Sequence, residues 1–261
     1  MTKTDSNNTT RHNYELQPDS TDSDESKLQV FNADWDEEGV YFYQAYCDEI
    51  ADYAIAQQRL GSKRWNSKRM TWIKPSFGWM LYRCGYGKKP GQDRVLRIKL
   101  SHSTVAHILS NCNLAHSGYD DSSTKSRCGK VQWDPERDLY IPTVNKGRLE
   151  PRKLPRTRAI QIGMRGTLSE FYVSNLISVE DVTYLAHKVY NVHNGMRNNR
   201  AKGAKMQAFQ DVRLQTERPY FPSCDMRHLV RLGMFPGEPA DKLAYQFFGQ
   251  NELSQGSRGT R

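Results

Sequence analysis

The run from Arg69 to Gly87, RMTWIKPSFGWMLYRCGYG, sets two tryptophans, two tyrosines and a phenylalanine among three cations, with no acid. Met70 to Ile73 has the content of a short strand, Pro75 suits the first turn of a helix, and Gly85 can end that helix with positive φ. The run therefore reads strand, turn, helix. Lys74 and Ser76 fall at the turn, beside the N–H groups of the helix start. An ammonium, a hydroxyl and free N–H groups together suit a phosphate, although the Gly-rich spacing of a P-loop is missing. Trp72 and Trp79 offer flat faces to a planar ring, while the same aromatics at helical spacing also suit plain core packing.

A chain of 261 residues with 37 % apolar content supports one sizeable core. We read residues 31–250 as one globular domain, between a disordered acidic tail at 1–30 and a disordered tail at 251–261, both poor in apolar residues. No run approaches the roughly eighteen apolar residues of a membrane span, and the polar N-terminus lacks the basic-then-apolar order of a secretory signal. No membrane partner is expected. The five cysteines are scattered without a C-x-x-C pair, which points to an intracellular, reducing compartment, cytoplasm or nucleus. The histidines make no H-E-x-x-H pattern, so no metal is expected either. The net charge of +9 hides an asymmetry: residues 1–39 hold 10 acids and 3 bases, leaving 35 bases and 19 acids, about +16, on the rest. Such a field draws polyanions.

Val40 to Tyr46 is dense in β-formers and reads as the first strand, and Asp48 is placed to cap a helix running to Leu60 with Gly61 as its stop. Arg94 to Leu100 reads as a strand and Ser101 opens a helix. Residues 115–129 read as a long loop, Lys130 to Asp134 as a strand ending at Pro135, Asn145 to Thr157 as a basic, proline-rich loop, and Arg158 to Met164 as a strand. That last strand turns Ile160, Ile162 and Met164 to one face, Gln161 and Gly163 to the other. Two capping boxes, Thr167 with Glu170 and Ser178 with Asp181, predict helices. His193 to Lys205 reads as a basic loop, either a solvated linker or a clamp on a nucleic-acid backbone, and Asp225 caps a short helix ending at Gly233.

Gln132 to Arg137, QWDPER, is the second unusual run: a tryptophan, two carboxylates and an arginine at a strand end suit the polar rim of a pocket, or a plain strand-to-turn junction. Together YQAYCDEIADYA, MTWIKPSFGWMLYRCGYG, QWDPERD and RAIQIGMRG followed by SVEDVT resemble the signature runs of a family of bacterial and fungal proteins, the domain of unknown function numbered four-two-nine-one. The same layout is similar, more distantly, to the ADP-ribosyltransferase fold of DNA-targeting toxins. That resemblance implies an α+β single domain with a mixed, antiparallel split sheet and flanking helices, NAD as cofactor, and glycosyl transfer to a nucleic acid, single-stranded RNA or DNA.

Carried over, Gln44 and Tyr46 fall at the first-strand NAD contacts, with Tyr43 beside them. Arg69, Thr71, Trp72, Lys74, Ser76, Trp79, Tyr82 and Arg83 follow on the central run. Gln161 stands where that branch has its catalytic glutamate. A glutamine can hydrogen-bond a ribose hydroxyl but cannot deprotonate a nucleophile, so Asp134, Glu136 and Glu180 are the candidate acids. Trp133, Arg137, Arg165, Arg197, Arg200 and Lys202 are the candidate nucleic-acid contacts. The alternative from another class is a non-catalytic nucleic-acid-binding module that stacks bases on its tryptophans and holds phosphates with the same cations.

Overall fold

A computed structural model describes residues 28–115, 128–198, 209, 212 and 214–234. The first half of the chain supplies β1 (Leu28–Gln29), β2 (Asn32–Ala33), β3 (Gly39–Tyr46), α1 (Asp48–Gln57), β4 (Thr71–Ile73), α2 (Phe77–Cys84), β5 (Arg94–Ser101), α3 (His102–Ser110) and β6 (Cys112–Leu114). The second half supplies β7 (Gly129–Asn145), β8 (Arg148–Met164), α4 (Thr167–Ser174), β9 (Leu176–Asp181), α5 (Thr183–Asn198), β10 (Arg218–Pro219) and α6 (Met226–Arg231). Most of the expected 115–129 loop, both tails, Arg200 and Lys202 lie outside the described residues.

The fold is α+β, with most strands split between two larger sheets and β2 paired with β10 in a small third one. In one, β7 runs antiparallel to β8, β6 lies on the outer edge of β7, and the far edge of β8 takes β1 at Thr157 and Arg158 and β4 at Ile162 to Met164. In the other, β3, β5 and β9 are antiparallel. The sheets touch at one antiparallel bridge, where Tyr43 donates its N–H to the Lys74 carbonyl at 2.7 Å and Lys74 returns its own at 3.2 Å. Beyond that bridge β3 and β4 splay apart, and the Gln44 side chain spans the gap by donating to the Trp72 carbonyl.

Strand alternation sends successive residues to opposite faces, which gives the molecule two cores. Phe42, Leu96, Ile98, Val131, Ile160 and Ile162 meet α1, α3 and α4 through Ala54, Ile108 and Tyr172 on one side. Tyr43 and Val95 meet α2 and α5 through Phe77, Leu81, Leu185 and Val189 on the other. Each fully buried aliphatic side chain stabilises by about 1.5–3 kcal/mol. The cations of β5 are neutralised by acids: Arg94 by Asp48, Asp52 and Asp181, Arg97 by Asp34 and Glu180, Lys99 by Asp36 and Glu38.

Several local expectations change. Pro135 does not end a strand and Asn145 to Thr157 is not a loop: both belong to a long hairpin, in which register shifts beside Pro135 and Pro142 accommodate rings that cannot donate to a ladder. Lys146 and Gly147, with φ of 49° and 78°, form its two-residue turn. Ser178 to Asp181 is strand, not a helix start, because those residues pair with β5. The helix begins at Thr183, whose N–H is accepted by Asp181 Oδ1. Asp48 does not cap α1. Cys47 holds the cap position without a side-chain bond, and the helix stops at left-handed Gln58 rather than Gly61. Thr167 is the first residue of α4, after Gly166, and Glu170 accepts from Ser67 instead of closing a box. Leu28 and Gln29 pair with β8, so the ordered chain starts before residue 31. His193 sits inside α5, not in a loop: its Nδ1 accepts from the Tyr86 hydroxyl at 2.8 Å, and its Nε2 donates to the Leu139 carbonyl at 3.0 Å. Other expectations hold, with Ser101 and Asp225 accepting from the N–H groups of Thr104 and Arg227 at the starts of α3 and α6.

Candidate active site

Where β3 and β4 diverge, the molecule opens a cavity of about 860 Å³. That lies within the roughly 300–1,000 Å³ of small-molecule and cofactor sites. Its wall combines the end of β3 (Gln44, Tyr46), the segment before β4 (Arg64, Trp65, Arg69), β4 itself (Thr71, Trp72), Lys74, one face of α2 (Trp79, Tyr82, Arg83), and the hairpin residues Gln132, Asp134, Arg137, Lys153 and Gln161. Six cations face one carboxylate there.

The carboxylate is held rigidly. Gln132 and Gln161 are direct cross-strand partners on β7 and β8, and Asp134 follows on the same face two residues after Gln132. Gln132 Nε2 donates to Asp134 Oδ1 at 3.0 Å and Gln161 Nε2 to Oδ2 at 2.5 Å. Burial raises the Asp134 carboxyl above its ordinary range, while the Gln132 bond and the charge of Lys74 oppose the rise.

Lys74 is only 7 % exposed, and its Nζ lies over the Trp79 ring, 4.9 Å from the centroid. Among the described residues no ion pair involves it, and burial, then the neighbouring Arg83 charge, lowers its pKa to about 7. Trp72 lies flat on Gly163, its cross-strand partner. Arg137 stacks its guanidinium 3.4 Å above the Tyr82 ring and pairs with Glu150 at 3.1 Å.

Of the candidates, Gln44, Tyr46, Arg69, Thr71, Trp72, Lys74, Trp79, Tyr82, Arg83, Asp134, Arg137 and Gln161 come together on this wall. Gln44 holds the frame, for its amide nitrogen is on the Trp72 carbonyl and its oxygen accepts from Tyr172. Burial pushes the Tyr46 hydroxyl up to about 12, so it stays a neutral donor. Tyr43 lies in the core under α2. Ser76 and Glu136 are buried against each other, the hydroxyl donating to Oε1 at 2.6 Å, and do not line the cavity. The helix start expected to receive phosphate is already satisfied: Trp79 N–H goes to Ser76 Oγ and Phe77 N–H to Glu217 Oε1.

The nucleic-acid candidates do not form one surface. Trp133 Nε1 donates to the Leu232 carbonyl and its ring packs on the core. Arg165 follows the base of the hairpin, whereas Arg197 shares a smaller hollow with Val144 and Leu149 near its tip.

Arg64, Trp65 and Lys153 are cavity residues that sequence reasoning passed over, and Gln132, which opens the QWDPER run, received no role of its own. Gln132 was within reach, since it alternates with Asp134 on one strand face. Arg64, Trp65 and Lys153 come from a non-strand segment and an irregular strand, where no period marks a face.

Among the described residues no group of three or more His, Cys, Asp or Glu is placed to hold a metal ion, and no helix is long and apolar enough to cross a membrane. No curated protein matches the chain. The family model of the domain of unknown function DUF4291 matches residues 30–220, a span that contains every described strand except β1 and the whole lining of the cavity. The chain belongs to the DUF4291 family.

Proposed function

We propose that the protein is an NAD-dependent ADP-ribosyltransferase-like enzyme whose acceptor is a nucleic acid. The observation that carries this reading is the single carboxylate, Asp134, fixed by two glutamine amides in a cavity whose lining also holds six cations and five aromatic side chains. NAD, when bound, supplies a ribosyl carbon that becomes cationic as nicotinamide departs. A preorganised negative group stabilises such a centre without reorganisation, the role given to Asp134. Gln161 is then a positioning residue that orients Asp134. Arg69 and Arg83, with Lys74 in its charged form, suit the pyrophosphate, and Trp72, Trp79 and Tyr46 suit its flat rings. The buried Lys74, outside every ion pair among the described residues, supports a fit to an anionic ligand. Exposed Arg64, Arg69, Arg83 and Lys153 at the mouth suit the phosphates of an acceptor strand.

The non-catalytic module finds less support, because Trp133 is tied inward and Trp79 is only 7 % exposed. The deciding experiment incubates the full chain with labelled NAD and pooled RNA, DNA and protein. Label on nucleic acid is expected, falling by about 10²–10³ in Asp134→Asn. No rise in melting temperature at millimolar NAD, together with no labelled pool, would refute the reading.

A further inference from the structure

Lys74 differs from the other five cations of the cavity. Arg64, Arg69, Arg83 and Lys153 are exposed, and Arg137 is paired with Glu150. Lys74 alone is buried without a carboxylate at contact distance among the described residues. Its main chain is bonded on both N–H and C=O to Tyr43, so the side chain springs from a fixed point where the sheets join. With a pKa near 7, neutral amine and ammonium coexist at neutral pH. A lysine desolvated beside a second cation is the arrangement that activates an amine as a nucleophile. Arginines cannot lose their charge, so Arg69 and Arg83 keep an anion in place while Lys74 is neutral. Asp134, on the same cavity wall, offers a negative charge to the cation that an imine-forming amine passes through.

We propose that Lys74 forms an imine with the aldehyde of a ring-opened ribosyl phosphate held by the cavity's arginines. The Nζ lone pair attacks the aldehyde carbon, forming the C–N bond as the C=O π bond opens. A proton passes from nitrogen to oxygen to give a carbinolamine. The hydroxyl leaves as water with a proton taken from solvent, giving an iminium whose charge the Asp134 carboxylate offsets, and loss of its N–H proton to solvent leaves a neutral imine with no oxidant or other reactant consumed. NAD carries no free aldehyde, so this activity stands or falls apart from the transferase reading.

The test incubates the full chain with ribose 5-phosphate and sodium cyanoborohydride, then maps reduced adducts by mass. Label at Lys74 is expected in at least about ten-fold excess over exposed Lys63, Lys68 and Lys146, as befits an activated amine. Inorganic phosphate should suppress it, and Lys74→Arg, checked by its melting temperature, should lose it while the exposed lysines label as before. Lys74 labelling no faster than the surface lysines would overturn the proposal. So would equal labelling by ribose without its phosphate. Neither outcome depends on a variant folding.

Discussion

At Lys74, burial and position work against each other: a cation drawn out of water is costly, yet the bridge to Tyr43 leaves it nowhere else to go. Lys74→Met should therefore raise the unfolding free energy at pH 7 by about 1–3 kcal/mol while weakening, without abolishing, the binding of anionic ligands that the arginines also hold. Urea unfolding and a phosphate or NAD titration on the same variant check both halves. Lower stability would show that the ammonium has a strong partner. Linkage gives the same sign. Between about 7 and 10.5 the unfolded chain holds a proton that the native Lys74 has lost, so its contribution to stability rises with pH across that window.

Among the elements, β4 and β8 build the back of the cavity through the Trp72–Gly163 pair. A Cβ on Gly163 would lie 2.8–2.9 Å from three Trp72 ring atoms, so Gly163→Ala must displace the indole. The expected cost is about 1–3 kcal/mol, with an altered tryptophan emission spectrum and weaker ligand binding. An unchanged spectrum and affinity would remove Trp72 from the cavity wall. This element order was largely legible: the strand, turn and helix of Arg69 to Gly87, the strands before and after it, and the Ser101 cap follow from alternation, capping chemistry and a left-handed glycine. The hairpin was not, because Pro135, Pro142 and Pro151 read as breaks until a partner strand makes them bulges and edge positions. The Ser178 box failed for a similar reason. Its spacing is right for a cap, but pairing with β5 outweighs local propensity. For the site, residue types on the central run pointed to the cavity, whereas the roles of Gln44 and Ser76 depended on Tyr172 and Glu136, which lie 128 and 60 positions away.

Across the whole molecule, a buried histidine and a half-buried glutamate set opposing pH slopes. Burial lowers His193 to about 4, with its bond to Leu139 opposing, so between pH 6.5 and 4 the unfolded chain binds the proton first. Stability should fall by about 3 kcal/mol as the pH drops through that range. Burial, then the charge of Glu136, raises Glu217 to about 8, so from 4.5 to 8 the native state keeps a proton the unfolded chain has released, and stability falls as the pH rises. Unfolding curves from pH 4 to 8 should flatten on the acid side in His193→Gln and on the alkaline side in Glu217→Gln. Unaltered slopes in either variant would show that its group is not the one titrating.

The Tyr43–Lys74 bridge is a main-chain link between the two larger sheets, beside the point where Gln44 crosses to Trp72, and the Lys74 side chain springs from it. A ligand that touches both walls of the cavity therefore bears on β3 and β4 at once, on either side of that link. Such a ligand should slow amide exchange at Tyr43 and Lys74, whereas one confined to a single wall should leave both amides as they were.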